Sequence, residues 1–364
     1  IGSGLVGSEM CIRDSHGALP LAMVSMDNCS HNGDKLYAAA SSFAKAWEEN
    51  GLISPGFCAY VNDTSKVTFP WTMIDKITPR PDAAVKAMLE KDRIDDLEPV
   101  ITSKNTYVAP FVNAEECQYL IIEDAFPNGK LPLDECGIIY TTRETVDKVE
   151  KMKVCTCLNP LHTALAIYGC LLGYTLIADE MKNPMLKKMV ETIGYQEGLP
   201  VVADPGILDP KQFIDEVVTK RIPNPFMPDT PQRIATDTSQ KLPVRFGETI
   251  KAYQESPSLS PDSLRIIPLV FAGWLRYLMA TDDKGTPFTL SSDPLLDTVR
   301  PFVASFRPGE LPEDLSGLNP LLSDSRIWGV DLIEAGLADR VTDYFRQLCA
   351  GNGAVEHTLK KYLG

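Results

Sequence analysis

The stretch "NPLHTALAIYGCLLGYTLIADEMKN", residues 159–183, is apolar nearly all round. Asn159 reads as an N-cap and Pro160 as the first helical residue. That pairing starts helices because the cap side chain takes one orphan backbone N–H while proline has none to leave unpaired. A helix with no wet face must be enclosed, so the rest of the chain has to supply further apolar faces around it. "RETVDKVEKMKVC" before it places Val146, Val149 and Met152 at helical spacing. After it, "DPKQFIDEVVTKRI", "TPQRIATDTSQKLP", "SLRIIPLVFAGWLRYLMA" and "VTDYFRQLCAGNGAVEHTLKKYL" continue the helical pattern. Residues 142–364 therefore read as one mainly α-helical domain.

The texture ahead of Thr142 differs. "LPLAMVSMDN" reads as a buried strand that ends in polar residues at Asn28, the edge where ligands bind in open α/β sheets. "DKLYAAASSFAKAWEENG" reads as an amphipathic helix with Leu36, Ala39, Phe43 and Trp47 on one face. Short strand candidates split by prolines and Asn-Gly turns follow, which makes 16–141 a mixed α/β layer. At the start, Gly2, Gly4 and Gly7 spell G-x-G-x-x-G. A working phosphate turn needs a strand before the first glycine and a helix after the third. Only Ile1 precedes them, and the polar "SEMCIRDSHGALP" follows. These glycines are read as a decoy, and residues 1–15 as an adapter-like tail foreign to the fold.

A formal net charge of -14 argues against nucleic acid as a partner. No continuous apolar run reaches membrane-spanning length, and there is no signal-peptide pattern, so neither a membrane nor export is expected. Nine cysteines without a C-x-x-C pair suit reduced thiols in a cytoplasm. Cys155 and Cys157 beside His162 lack zinc-ligand spacing and read as core thiols.

The segment that carries chemistry is "EKMKVCTCLNPLHTAL", where Lys153, Asn159 and His162 fall within ten residues. A lysine whose pKa is lowered serves as a general acid or base near neutrality, and an asparagine amide donates to a developing oxyanion. Asn28 offers a second donor to the same oxygen. Spacing alone leaves the bland reading open: Asn159 as a cap, Lys153 paired with Glu150 on a wet face, His162 structural.

Five blocks in order, "SMDNCSHNGDKL", "FPWTMIDKITP", "YLIIEDAFPNGKLPL", "EKMKVCTCLNPLHTALAIYGCLLGY" and "RIPNPFMPDTPQRIATDTSQKLP", resemble the long-chain polyol and hexuronate dehydrogenase family from about Leu19 to the end. The resemblance implies a zinc-independent enzyme that moves hydride between NAD or NADP and carbon 2 of a small sugar acid or polyol. It implies Lys153, Asn159, His162, Asn28 and Glu150 as catalytic residues, and Asp75, Arg233 and Lys241 as substrate-binding ones. The step from Lys153 to Asn159 is one residue longer than in the mannitol enzymes, which keeps Lys151 as an alternative; the step from Glu150 favours Lys153.

The implied fold is an α/β remnant of a Rossmann-type domain, residues 16–141, followed by a mainly α-helical C-terminal domain that holds substrate. The family's glycine-rich turn precedes the D-N strand, so the cofactor-binding half is expected to be missing here and its residues are unassigned. The implied reaction is fructuronate to mannonate, with fructose and mannitol as the alternative pair. A reading from another class is a catalytically incompetent fragment. A metal-dependent aldolase or hydrolase is disfavoured, because four histidines share no ligand spacing. Oligomeric state is not written in the sequence.

Overall fold

The computed structural model describes residues 17–364; the decoy glycines Gly2, Gly4 and Gly7 and the adapter-like tail lie outside the described residues. The chain divides into two compact units. The smaller takes the chain up to Ile77 together with Ala114–Glu150, and the larger takes Thr78–Asn113 with Lys151–Gly364.

In the smaller unit, β1 (Leu21–Ala22) runs parallel to β2 (Val67–Thr68), with Leu21 opposite Val67. β3 (Thr72–Asp75) pairs antiparallel with β4 (Tyr119–Glu123), which in turn pairs parallel with β5 (Ile139–Thr141). Helix α1 (Asn32–Glu49) covers this layer through Leu36, Ala40 and Ala44, a stripe four residues apart, with Trp47 partly buried. The expected face was wrong in part: Phe43 is 37% exposed. Small alanines face inward because the helix starts so close to the strands. A Cβ on Gly33 would sit 2.4 Å from the Phe69 carbonyl oxygen, an approach only glycine permits.

The strand expected to run to Asn28 stops early. Met23 makes the last ladder bond, its N–H to the Thr68 carbonyl at 2.9 Å. The carbonyls beyond it are taken by a side chain instead: Asn32 Nδ2 donates to Asp27 O at 2.7 Å and to Ser25 O at 3.5 Å. Asn28 consequently lies exposed in a turn, in which Asp27 accepts from the Cys29 N–H at 3.0 Å.

The larger unit is helical, apart from a hairpin of Val100–Ile101 with Tyr107–Val108. Its centre is α3 (Asn159–Leu172), buried from Thr163 to Leu171 as its apolar composition requires. The helix is shorter than the motif suggested, since Gly173 ends it in the left-handed conformation and a separate turn, Ile177–Glu180, follows. Against it packs α4 (Ile266–Tyr277), all of whose residues are buried. The Tyr168 hydroxyl donates to the Leu269 carbonyl at 2.8 Å, joining the two helices through a buried polar group that would otherwise be costly. α4 has no cap of its own. The Glu197 carboxylate replaces it, accepting the N–H groups of Arg265, Ile266 and Ile267 at 2.6, 2.7 and 2.8 Å.

Four stretches, Met152–Cys157, Thr192–Gly198, Val217–Arg221 and Pro243–Gly247, wind as π-helix. π turns are rare and concentrate at functional sites. By length and composition the run Arg143–Leu172 would suffice to cross a membrane, against the sequence expectation; 78% of its most apolar window is buried inside the protein, as in a core helix.

Candidate active site

The sequence placed the chemistry between Glu150 and His162, and here the backbone changes character. Helix α2 (Arg143–Lys151) passes into the π turn Met152–Cys157, whose closing bond runs from the Leu158 N–H to the Lys153 carbonyl at 3.1 Å. A π turn holds one more residue than an α turn. It absorbs the long Lys153-to-Asn159 step without breaking the approach to α3. Lys153 is partly buried within the π turn, whereas the alternative, Lys151, is exposed at its start.

Asn159 is not the cap the sequence suggested. Leu158 occupies that position, and Asn159 with Pro160 forms the first turn. Leu158 closes the π turn with its own N–H, which shifts the helix start by one residue. The Asn159 side-chain amide hydrogen-bonds to no described residue, so the fold gives it no structural task. Its backbone carbonyl, by contrast, is held: Thr163 Oγ1 donates to it at 2.9 Å and Arg245 Nη1 at 3.4 Å. His162, one turn on, is partly buried and begins the helical ladder through its N–H to the Leu158 carbonyl at 3.2 Å.

Arg233 and Lys241 are brought together by two short helices, Pro231–Ile234 and Thr238–Leu242, with Asp237 between them in the left-handed region at φ 54°. Arg233 forms an ion pair with Asp229 and remains 61% exposed. The Lys241 ammonium folds back on the carbonyls of Ile234 and Thr236, which terminate the first of these helices. Burial pushes its pKa down to about 8; the Arg245 guanidinium and then Arg233 add to the fall, against Asp237 and Asp293.

In the smaller unit, Asp75 ends β3 and is 3% exposed, opposite Tyr119 on β4. Asn28 lies in the turn described above, and Glu150 is partly buried on α2. The turn that carries Asn28 is tied to β3 by Asn32, whose Nδ2 donates to Thr72 Oγ1 at 2.7 Å while its Oδ1 accepts the Thr72 N–H at 3.0 Å.

Cys157 is fully buried, and burial alone pushes its thiol up to about 12, the behaviour of a core thiol. Sequence reasoning missed Asn32, which reads as part of a polar turn, and Arg245, which reads as an exposed charge after a proline. The four-residue step from Lys241 to Arg245 was the available signal.

A small mixed α/β unit, and a helical unit that gathers a lysine, an amide and an imidazole on adjoining turns, together have the architecture of a long-chain dehydrogenase. Residues 145–349 match the model of the mannitol dehydrogenase C-terminal domain. The chain is 51% identical to the D-mannonate oxidoreductase of Thermotoga maritima over 99% of its own length and 67% of that protein's. It is 27% identical to the Escherichia coli D-mannonate oxidoreductase over 95% of its length and 64% of that protein's. Among solved structures, the Pseudomonas fluorescens mannitol 2-dehydrogenase, in ternary complex with NAD and D-mannitol, superposes with a TM-score of 0.69 at 24% identity, covering 99% of this chain and 66% of that one. The chain belongs to the mannitol dehydrogenase family and spans about two thirds of the length of these relatives.

Proposed function

We propose that the chain carries the catalytic and substrate-binding part of an NAD- or NADP-dependent, metal-independent oxidoreductase that interconverts fructuronate and mannonate, reacting at carbon 2 in ketose numbering. The observation that carries the substrate is the 51% identity to a D-mannonate oxidoreductase along nearly the whole chain. The mannitol–fructose pair is the second reading, favoured by the fold shared with a mannitol 2-dehydrogenase.

The donor chemistry fits a nicotinamide partner. Lys153, Asn159 and His162 offer a proton and hydrogen bonds, but no hydride, and a bound nicotinamide supplies that. Lys153 as ammonium gives its proton to the ketone oxygen, and as neutral amine takes it back in the reverse direction. Asn159 donates to that oxygen as charge develops on it, and Asn28 is a further donor that the family resemblance assigns. The amide of Asn159, free of structural duty, is prepared for this. Glu150 stands three residues ahead of the lysine as the catalytic carboxylate. His162 fixes a neighbouring hydroxyl, Asp75 is a substrate-binding residue that the family resemblance assigns, and Arg233 and Lys241 supply positive charge. The partner is a small sugar acid or polyol in a cytoplasmic setting, with no role for nucleic acid or membrane.

The test is the ratio of kcat/KM for fructuronate to that for fructose, with NADH and NADPH, in a form extended to the length of the relatives. Preference for fructuronate supports the reading; preference for fructose makes the second reading the right one.

A further inference from the structure

Resting on the reading of a hexuronate as substrate, we propose that Arg245 is the specificity-determining residue that takes the substrate's carboxylate, beside Lys241. Arg245 lies in the π turn Pro243–Gly247. Its Nη1 donates to Thr163 Oγ1 at 2.5 Å and to the Asn159 carbonyl at 3.4 Å. One edge of the guanidinium is thereby anchored to the turn of α3 that carries Asn159 and His162. The remaining donors, Nε and Nη2, reach no described residue, and neither is a sealed atom without a partner. They stand open to an incoming acceptor.

The charge is equally uncommitted. Burial pulls the Arg245 pKa down to about 10; the Cys155 thiol opposes this, and no carboxylate acts on it. A partly buried guanidinium without an anion is an expensive arrangement that a fold does not keep for stability. Arg276, a structural arginine in the same unit, differs in charge: its Nη atoms donate to Thr281 and Asp282, its Nε is sealed without a partner, and Cys349, Asp283 and Asp282 act on its charge. Arg245 lies near enough to Lys241 to depress it more than Arg233 does. Two neighbouring cations, one presenting a planar fork, match a carboxylate. The fork is also rigidly aimed. A Cβ on Gly247, the last residue of the turn, would lie 2.4 Å from the Trp328 carbonyl oxygen, so the turn is clamped against backbone.

The experiment compares unsubstituted protein, Arg245→Gln and Arg245→Lys, each extended to the length of the relatives, in reducing fructuronate and fructose. Arg245→Gln is expected to lower kcat/KM for fructuronate on the order of a hundredfold, mainly through KM. Its effect on fructose is expected to be smaller by at least about tenfold, and Arg245→Lys to recover part of the loss, since it restores charge without the fork. An equal fall on both substrates would mean that Arg245 only steadies Asn159, and would overturn the proposal, as would an undiminished fructuronate reaction. Should Arg245→Gln melt early, Arg245→Lys reads the same ratio in a folded protein. If the unsubstituted protein does not reduce fructuronate, the substrate reading fails and this assignment with it; if it does and Arg245→Gln matches it, only the assignment fails.

Discussion

Asn32 in the smaller unit and Asn159 in the helical unit use the same amide in opposite ways. Asn32 is buried and fully committed, donating to Asp27, Thr72 and Ser25 carbonyls and to the Thr72 hydroxyl, and accepting the Thr72 N–H. Around it the small sheets are held by further side chains. Trp71 donates to Asp34 at 2.9 Å, Arg143 donates to Glu123 at 3.0 Å, and His31 stacks on Trp71 with ring centres 4.2 Å apart. The helical unit folds mainly by apolar burial along α3 and α4, and the Asn159 amide at the head of α3 takes no part in holding it. Where polar groups hold a fold, their loss shows as instability; where burial holds it, they are available for chemistry.

The largest expected effect falls on the helical side. Lys153→Ala should lower kcat by ~10²–10⁴-fold with the fold intact, the range for a lost general acid or base. Lys151→Ala should change it only a few-fold. Steady-state kinetics beside circular dichroism decides; a larger loss from Lys151→Ala would move the catalytic role to Lys151.

A smaller effect is a pH dependence at Lys241. With its pKa lowered to about 8, the ammonium is lost as pH rises past that value, among Arg245, Arg233, Asp237 and Asp293. The KM for a hexuronate should rise several-fold between pH 7 and 9, and the KM for fructose less. Parallel profiles for the two substrates would show that Lys241 does not sense the carboxylate.

The smallest concerns stability. Glu180 is fully buried beside Cys170, neither carboxyl oxygen has a partner, and burial holds its pKa well above the usual carboxyl value of 4.5. A raised carboxyl pKa stabilises the folded form fully below 4.5, and the contribution is lost as pH rises through the folded value. The slope is at most ~1.4 kcal/mol per pH unit. Between pH 5 and 8 the unsubstituted protein should lose several degrees more in Tm than Glu180→Gln does. Equal slopes in thermal melts would exclude Glu180 as the source.

Much of the helical unit was legible in the sequence. Asn-Pro at the head of an apolar run fixed α3 to within a residue, and the lysine, asparagine and histidine could be picked out once five ordered blocks carried the resemblance. Periodicity at 3.6 residues has no means of seeing a π turn, so the cap of α3 at Leu158 and the reach of Arg245 were hidden. The smaller unit was harder to read. Its strands are two to five residues long, and the one expected at Asn28 is ended by a side chain ten residues after Ala22. The inner face of α1 went to Ala40 and Ala44 because Gly33 draws the helix onto the strands, a tertiary approach that hydrophobicity does not encode.

The contrast between the two amides is tested most directly by measuring Tm and kcat together for Asn159→Ala and Asn32→Ala in a form extended to the length of the relatives. Asn159→Ala should hold its Tm within ~2 °C and lose ~10²–10³-fold in kcat, the effect of removing one oxyanion donor. Asn32→Ala should lose several degrees, since ~1 kcal/mol is worth ~4–8 °C in a unit of about a hundred residues and buried partners would be left unpaired. An Asn159→Ala protein that melts as early as Asn32→Ala while keeping kcat within a few-fold would contradict the account.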